Sequence, residues 1–405
     1  MKNTFVLLII ILSFVSCDNK EKYQGKWTYN YYSSKYKKQD YPSSILIGND
    51  SIKFKHCYFE YWHEYPLNIE GKKLSFNGMK INTAIIKDTL IMNNFDFFIK
   101  DYNDDIHKNL WGNSITKIHF PKIDVSFFPK ENYKSINYSN YHIFFGRKLD
   151  DNELSLQLND THSEISEIVN FLHLERSSIR EELIPFYKAI LFIDKSSPMK
   201  FVEEIFYNLK IANQLKVSLV NNINLNYNDT TGIHYKYESL NKKLPYFKEV
   251  DNYNPNTSKW SVRPPPPVPR FNTIFSHHEL ESKFIILKQN NLHFNDKTIT
   301  ASQLRSNVKP WVENNMAIFS LYDLESTYEK FLEMTAIIDS VYQEVRENQS
   351  KLMFNKTLSE LNREEYTKIK LQNPLRHIWS YSIPHYNSIV EENNSFWGLK
   401  VESIN

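Results

Sequence analysis

The chain has 405 residues, of which 41% are hydrophobic and 15% aromatic, and its formal net charge is +2. That length predicts two to four domains with enough apolar residues for real cores. A charge so near zero excludes the strong basic field on which nucleic-acid binding relies.

Met1-Lys2-Asn3 is a short positive start, and Phe5 to Val15 follows as an apolar run broken by Ser13. The run is too short to cross a bilayer, for which a helix needs about 20 residues. It has the length of a signal-peptide core. Ser16-Cys17 comes next, and then the polar stretch Asp18 to Lys22. A small residue before a cysteine at this place resembles the bacterial lipobox, with Phe14 standing where that family usually has Leu. The resemblance implies cleavage before Cys17 and lipidation of its thiol. Two acyl chains anchor a protein stably, at about 0.8 kcal/mol per buried methylene. Residues 1–16 are then a signal peptide and 17–24 a lipidated tether. The tether loosely resembles the acidic surface-export tag of Bacteroidetes lipoproteins, with a lysine interrupting the acids. The plainer alternative is an ordinary secretory signal with a chance cysteine. With Cys17 lipidated, Cys57 has no intramolecular partner, so it reads as a small buried apolar residue.

Glycine is rare, while Asn, Lys, Ile, Tyr and Phe abound, a bias that points to an AT-rich genome. Lys35 to Lys38 therefore reads as a solvated face. From Gly25 to about Phe120 short runs alternate with polar breaks: Trp27 to Tyr31, Ser51 to Lys55, Lys73 to Phe76, Thr83 to Ile86, Thr89 to Met92 and Phe95 to Ile99. Asn77-Gly78 and Lys87-Asp88 read as tight turns, and helical spacing is absent. Roughly eight such strands predict a sandwich or an up-and-down barrel. Gly25-Lys26-Trp27 resembles the opening signature of lipocalin-like barrels, in which the tryptophan plugs the barrel floor. The resemblance implies a ligand site that would include Trp27, Tyr61 and Trp62. Tyr58 to His63 also reads simply as alternating core and surface positions of one strand.

Further along, Tyr141 to Phe145 predicts a strand and Ser163 to Leu174 a helix. Tyr187 to Ile193 is an apolar run suited to a strand buried on both faces. Asp194 to Pro198 breaks it, and Phe201, Ile205, Phe206, Leu209 and Ala212 recur at helical spacing. Gln214 ends that helix, and Lys216 to Val220 is a second strand. The whole stretch from Tyr141 to Asn222 resembles the periplasmic domain of the ExbD/TolR biopolymer-transport family, with Asp194 and Pro198 at its strand-to-helix corner. A second copy follows. Phe284 to Leu287 and Leu292 to Phe294 read as strands, and Thr300 starts a helix through Leu304, Val308 and Val312. Ala317 to Leu321 is the buried strand, with Asp323 at its end. Ser326 and Glu329 read as a capping box, and Phe331, Met334, Ile338, Val341, Tyr342 and Val345 as an apolar stripe. The closing strand of this copy is assigned to His377–Ile383. Between the copies, Arg263 to Arg270 is rich in proline. It reads as a stiff polyproline spacer or as a docking peptide.

The family's working aspartate sits in a membrane helix, and no second long apolar run follows the signal peptide here. Gly-rich phosphate loops, G-x-S-x-G, H-E-x-x-H and C-x-x-C are missing from the sequence. His277-His278-Glu279 is a poor chelate, because adjacent residues point apart. Glu203-Glu204 reads as the exposed face of a helix. Asp50-Ser51-Ile52, Asp88-Thr89-Leu90 and Asp339-Ser340-Val341 resemble the Bacteroidetes O-glycosylation tripeptide.

The expected fold class is α+β and multidomain. An all-β barrel or sandwich covers 25–122, and a first ExbD-like α/β domain covers 123–250. A Pro-rich linker covers 251–281 and a second such domain 282–405. The expected protein is a non-enzymatic envelope lipoprotein, lipid-anchored at Cys17, on the periplasmic or surface face of the outer membrane. Its expected role is binding a protein or peptidoglycan-associated partner, without catalytic residues, metal, cofactor or nucleic acid. The alternative is a carrier of a small hydrophobic ligand in the N-terminal barrel.

Overall fold

The structure, a computed structural model, describes residues 20–30, 42–94, 96–111, 115–121, 123, 140–159, 161–228, 232–244, 282–295 and 297–381. Residues 1–17, which carry the expected signal peptide and lipidation site, lie outside the described residues, as do Lys35 to Lys38, the proline run and His277 to Glu279. No helix among the described residues is long and apolar enough to cross a membrane. Contacts divide the chain into two compact units. One comprises 1–119, 144–162 and 222–238, and the other 120–143, 163–221 and 239–405.

The first unit opens with a single helical turn, α1 (Lys20–Tyr23), and nine strands follow. They are β1 (Gly25–Tyr29), β2 (Ser44–Ile47), β3 (Ser51–Lys55), β4 (Trp62–Pro66), β5 (Asn68–Glu70), β6 (Lys73–Phe76), β7 (Met79–Ile86), β8 (Thr89–Met92) and β9 (Asp96–Lys100). They form one sheet in the order β4-β3-β2-β1-β9-β8-β7-β6-β5, nearly closed like a barrel. Every pairing in it except β1 with β9 joins strands that are neighbours in sequence.

Local chemistry explains the path. Asn77 and Gly78 both have positive φ (48° and 72°), the requirement of a two-residue hairpin turn of type I′. Lys87 also adopts positive φ, in the tight turn between β7 and β8. β7 is shared: its first half, Met79 to Asn82, pairs with β6, and its second half, Thr83 to Ile86, pairs with β8. Strands β4 and β5 lie at opposite ends of the order, yet only Leu67 separates them in the chain. One bent segment thus supplies both edges.

The inward face is set by register. Trp27 lies opposite Ile45, Ile45 opposite Phe54, and Phe54 opposite His63. Cross-strand partners share a face, so these four form one row. Trp27, Ile45 and Phe54 are buried, as are Tyr29, Leu74, Phe76, Ile81, Leu90, Met92 and Phe98 around them. A short helix that the alternation did not predict, α2 (Asp105–Trp111), follows β9. Asp101 caps it by accepting the N–H of His107 at 3.0 Å, a local signal that strand periodicity does not carry.

Strands β10 (Thr116–Lys117), β11 (Tyr141–Lys148), β12 (Leu154–Leu158), β13 (Thr161–Ser163), β14 (Ala189–Ile193), β15 (Lys216–Asn228) and β16 (Gly232–Lys243) build the second sheet. Its order is β13-β12-β11-β14-β15-β16, with β10 pairing on β11. Helix α3 (Ile168–Ser177) precedes β14, and α4 (Met199–Ile211) links β14 to the parallel β15. β15 does not stop at Val220, as its sequence suggests, but runs on to Asn228. Residues 222–226 alternate Asn with Ile and Leu, the pattern of a strand with one buried face.

The third sheet contains β17 (Ser282–Lys288), β18 (Asn291–Phe294), β19 (Lys297–Ile299), β20 (Ala317–Tyr322) and β21 (His377–Tyr381), in the order β19-β18-β17-β20-β21. Helix α5 (Ala301–Glu313) precedes β20, and α6 (Tyr328–Phe354) and α7 (Arg363–Gln372) lie between β20 and β21. β20 runs parallel to both neighbours, and all six of its residues are buried, as in strands covered on both faces. A nearly closed antiparallel sheet followed by mixed sheets with helices makes the chain α+β.

Candidate functional site

The sequence nominated Trp27, Tyr61 and Trp62. Trp27 sits inside the first unit, 1% exposed, and its indole N–H donates to the Tyr23 carbonyl at 2.7 Å. The turn α1 therefore closes over the tryptophan and satisfies its only polar atom. Tyr61 lies just before β4, and His63 and Tyr65 follow it on the same face of that strand. Trp62, one residue out of phase, takes the opposite face. Its indole N–H donates to Glu60 Oε1 at 2.7 Å, and the Lys55 ammonium lies 5.8 Å from its ring. The fold thus joins Trp27 to the β4 face through the row ending at His63 and leaves Trp62 apart.

The β4 face holds a phenol–imidazole–phenol chain. Tyr61 Oη lies 2.9 Å from His63 Nε2, and Tyr65 Oη lies 3.1 Å from Nδ1. Burial pushes the His63 imidazole down to about 4, so it is neutral at pH 7. A neutral ring donates from one nitrogen and accepts at the other. Burial, reinforced by Tyr65, pushes the Tyr61 phenol up to about 12. The chain is uncharged and can pass a proton along its length, but it holds no charged nucleophile.

His56 and Tyr235 lie behind it. The His56 Nδ1 accepts the N–H of Tyr58 at 3.1 Å, which puts the ring proton on Nε2, 3.2 Å from Tyr237 Oη. Phe59 stacks on the His56 ring at 4.2 Å, and Tyr235 approaches it at 4.7 Å. The Tyr235 hydroxyl is buried without a hydrogen-bond partner among the described residues, and burial holds its phenol far above the usual range. Strand β16 brings Tyr235 and Tyr237 here. Sequence reasoning missed both, although Ile233, Tyr235 and Tyr237 alternate with polar residues. Cys57 is buried beside His56, and no disulfide forms among the described residues.

In the second unit the two strand-to-helix corners meet. Asp194 ends the first, and its Oδ1 accepts from the Ser196 N–H and hydroxyl at 2.9 and 2.6 Å. Asp323 ends the second, and its Oδ1 accepts the Ser326 N–H at 2.7 Å. The corners pair as antiparallel segments through Pro198 and Thr327. Met199 N donates to Ser326 O at 2.8 Å, and Tyr328 N donates to Ser197 O at 2.8 Å. Lys200 N donates to Leu324 O at 2.9 Å, and Glu329 N donates to Lys195 O at 3.1 Å. Each bond has a mate in which the like residues of the two corners exchange roles, so the pairing is two-fold.

The packing of the second unit corrects three readings of the sequence. Ser326 and Glu329 do not form a capping box. Thr327 takes the N-cap position, Ser326 Oγ accepts the Asn290 N–H at 3.2 Å, and the Glu329 N–H is spent on Lys195. Glu203 is not on an exposed face. It is buried, with Oε1 3.2 Å from Lys210 Nζ and Oε2 accepting from Tyr322 Oη at 2.6 Å. Only Glu204 is exposed. Ser340 of Asp339-Ser340-Val341 is buried in α6, which removes it from the reach of a glycosylating enzyme.

Asp339 belongs to a buried polar cluster. Lys242 Nζ bonds to its Oδ1, His377 Nδ1 lies 3.5 Å from the same oxygen, and His377 Nε2 lies 2.9 Å from Ser320 Oγ. The order hydroxyl, imidazole, carboxylate is that of a nucleophilic triad. Ser320 is nevertheless completely buried on β20, and the Lys242 ammonium compensates the carboxylate that a triad would need. The cluster ties β16, α6, β20 and β21 together. No trio of metal-ligating side chains stands together among the described residues.

Comparison with protein families, with curated proteins and with solved structures finds no match for this chain.

Proposed function

We propose that the chain is a lipid-anchored envelope lipoprotein, non-enzymatic, with two copies of an ExbD/TolR-like periplasmic module that bind an envelope partner. One module spans the strands from β11 to β15 and the other those from β17 to β21. The observation that carries the reading is the shared strand order of these two sets, joined by the two-fold pairing of their corners. The lipobox resemblance at Cys17 supports the anchor. Open strands at the sheet edges offer backbone groups to an added strand, a common mode of peptide capture. Crosslinking in cells followed by mass spectrometry tests the reading. The expected result is an envelope protein or a peptidoglycan-associated protein bound to residues of the modules. Recovery of no such partner, together with robust hydrolytic activity of the purified chain, would overturn it.

A carrier of a small hydrophobic ligand is the second reading. The half-buried Tyr61–His63–Tyr65 face and the unpartnered Tyr235 hydroxyl favour it. The packed aromatic side chains around Trp27 count against it. Native mass spectrometry of the full chain from cells decides, since a carrier would retain a copurifying small molecule.

A further inference from the structure

The two-fold pairing of the corners is symmetric in backbone and asymmetric in side chains. Ile193 ends β14 and Tyr322 ends β20, each just before the corner aspartate. Glu203 is the fifth residue of α4 and Leu332 the fifth of α6. Position for position, Tyr322 corresponds to Ile193 and Glu203 to Leu332. The hydrogen bond from Tyr322 to Glu203, 2.6 Å long, is therefore made once. Its two-fold mate falls on Ile193 and Leu332, both apolar and both buried.

A backbone pairing with exact mates would also let each module pair with its own kind. The side chains oppose that. Two first modules would set Glu203 against Ile193, leaving one carboxylate oxygen buried without a donor. Two second modules would set the Tyr322 hydroxyl against Leu332, with no acceptor. A buried polar group left unpaired disfavours an assembly far more than a matched pair favours one. A second tie, from the strand that follows the first module, is equally one-sided. Lys242 of β16 reaches Asp339 of α6, while the residue in α4 that corresponds to Asp339 is Lys210.

We propose that the corner is a heterotypic pairing surface through which two chains exchange modules, its partner being the unlike module of a second copy of this chain and never the like module. This rests on the reading of two copies of one module, but not on the anchor or on any envelope partner, so failure of those leaves it standing. Two chains that open together exchange modules through the same contacts, and the tyrosine–glutamate bond selects the product.

The test uses the full chain with Cys17→Ser, Cys57→Ala and one reporter cysteine, Pro198→Cys or Thr327→Cys. These two positions face each other between hydrogen bonds, where Cα atoms approach to about 4.5 Å and a disulfide can close. Chains carrying different size tags are mixed in urea, refolded together at high concentration and oxidised. The expected result is that the Pro198→Cys to Thr327→Cys product exceeds either self-linked product by about tenfold or more, the ratio that one selective hydrogen bond supplies. Adding Glu203→Leu should raise the self-linked Pro198→Cys product by about the same factor. A statistical mixture, an excess of either self-linked product, or no linked chains at all would overturn the proposal. A chain carrying both cysteines should close the link internally. Failure to do so would overturn the pairing itself.

Discussion

A Cβ atom added to Gly232 would collide with Asp96 Oδ2, so the glycine backbone and the carboxylate occupy contiguous space. Asp96 is completely buried, and among the described residues its Oδ1 has no partner and its Oδ2 accepts only a long 3.4 Å bond from the Ile233 N–H. Burial pushes the carboxyl up to about 7, against the weaker pull of Ile233. The folded state therefore holds the proton more tightly than the unfolded chain does. No stability is lost below the unfolded value of 3.8. Stability falls as pH rises from there to about 7 and is level above that. The full effect is on the order of 4 kcal/mol. Urea unfolding between pH 5 and 8 should show this slope, and Asp96→Asn should flatten it. Gly232→Ala should destabilise at every pH, because φ of +78° and the collision both oppose a side chain.

Lys242 and Asp339 stabilise each other, so removing either alone should cost more than removing both. Lys242→Met leaves the buried Asp339 carboxylate without its ammonium partner and should cost about 3–5 kcal/mol, as broken buried pairs do. Lys242→Met with Asp339→Leu should cost less than either single change. Urea denaturation of the three variants closes the cycle. Additive losses would show that the two groups are independent.

Burial, opposed by Asp339, holds the His377 imidazole below its usual value. Its contribution is present above pH 6.5 and is lost as pH falls below that, because the folded state resists the proton that the unfolded chain accepts. Lys242→Met removes a neighbouring cation and should raise the His377 value, which NMR titration of the ring would record. An unchanged titration would place Lys242 too far away to act.

Trp27 and its row anchor the core of the first unit. Trp27→Ala removes a buried indole and its bond to Tyr23, and should cost about 3–5 kcal/mol. Trp62→Ala should cost far less, since its indole rests on the outer face against Glu60 and Lys55. Thermal unfolding of the two variants separates them, and equal losses would contradict the assignment of faces.

Cys17→Ser should remove the acyl acceptor proposed above. Labelled palmitate should mark the wild type and sediment with membranes, while the variant should lose both label and stable attachment. Label persisting in the variant would refute the anchor.

Strand rhythm was legible wherever apolar residues alternate with polar ones, as in Ser51 to Lys55 or Lys73 to Phe76, because period two is a direct image of the pleat. The corner segments were legible from Asp194 and Asp323, each closing an apolar run. What could not be read was pairing across long sequence gaps. Glu203 looks solvent-facing until Tyr322 is brought against it, and nothing local announces that encounter. The arm of β15 and β16 was obscured for a different reason. Its asparagines matched the bias of the whole chain, so a real alternation in residues 222–226 looked like background. Of the candidate site, Tyr61 and His63 were visible as aromatic neighbours, but Tyr235 and Tyr237 come from that same obscured arm.

The order of the nine-stranded sheet has a kinetic consequence. Seven of its eight pairings join strands that are neighbours in sequence, and the hairpins among them close on the microsecond scale, roughly 1–10 μs. The encounter of β1 with β9, which seats Tyr29 on Phe98 at 5.2 Å, must instead bring together opposite ends of the segment. Chain entropy makes that step the slow one. Substitutions at Tyr29 or Phe98 should therefore slow folding, while substitutions that weaken the Asn77-Gly78 hairpin should mainly hasten unfolding. Leu67, which ties the two edges covalently, spares the barrel a second distant encounter. Once β1 finds β9, the ring has nowhere further to search.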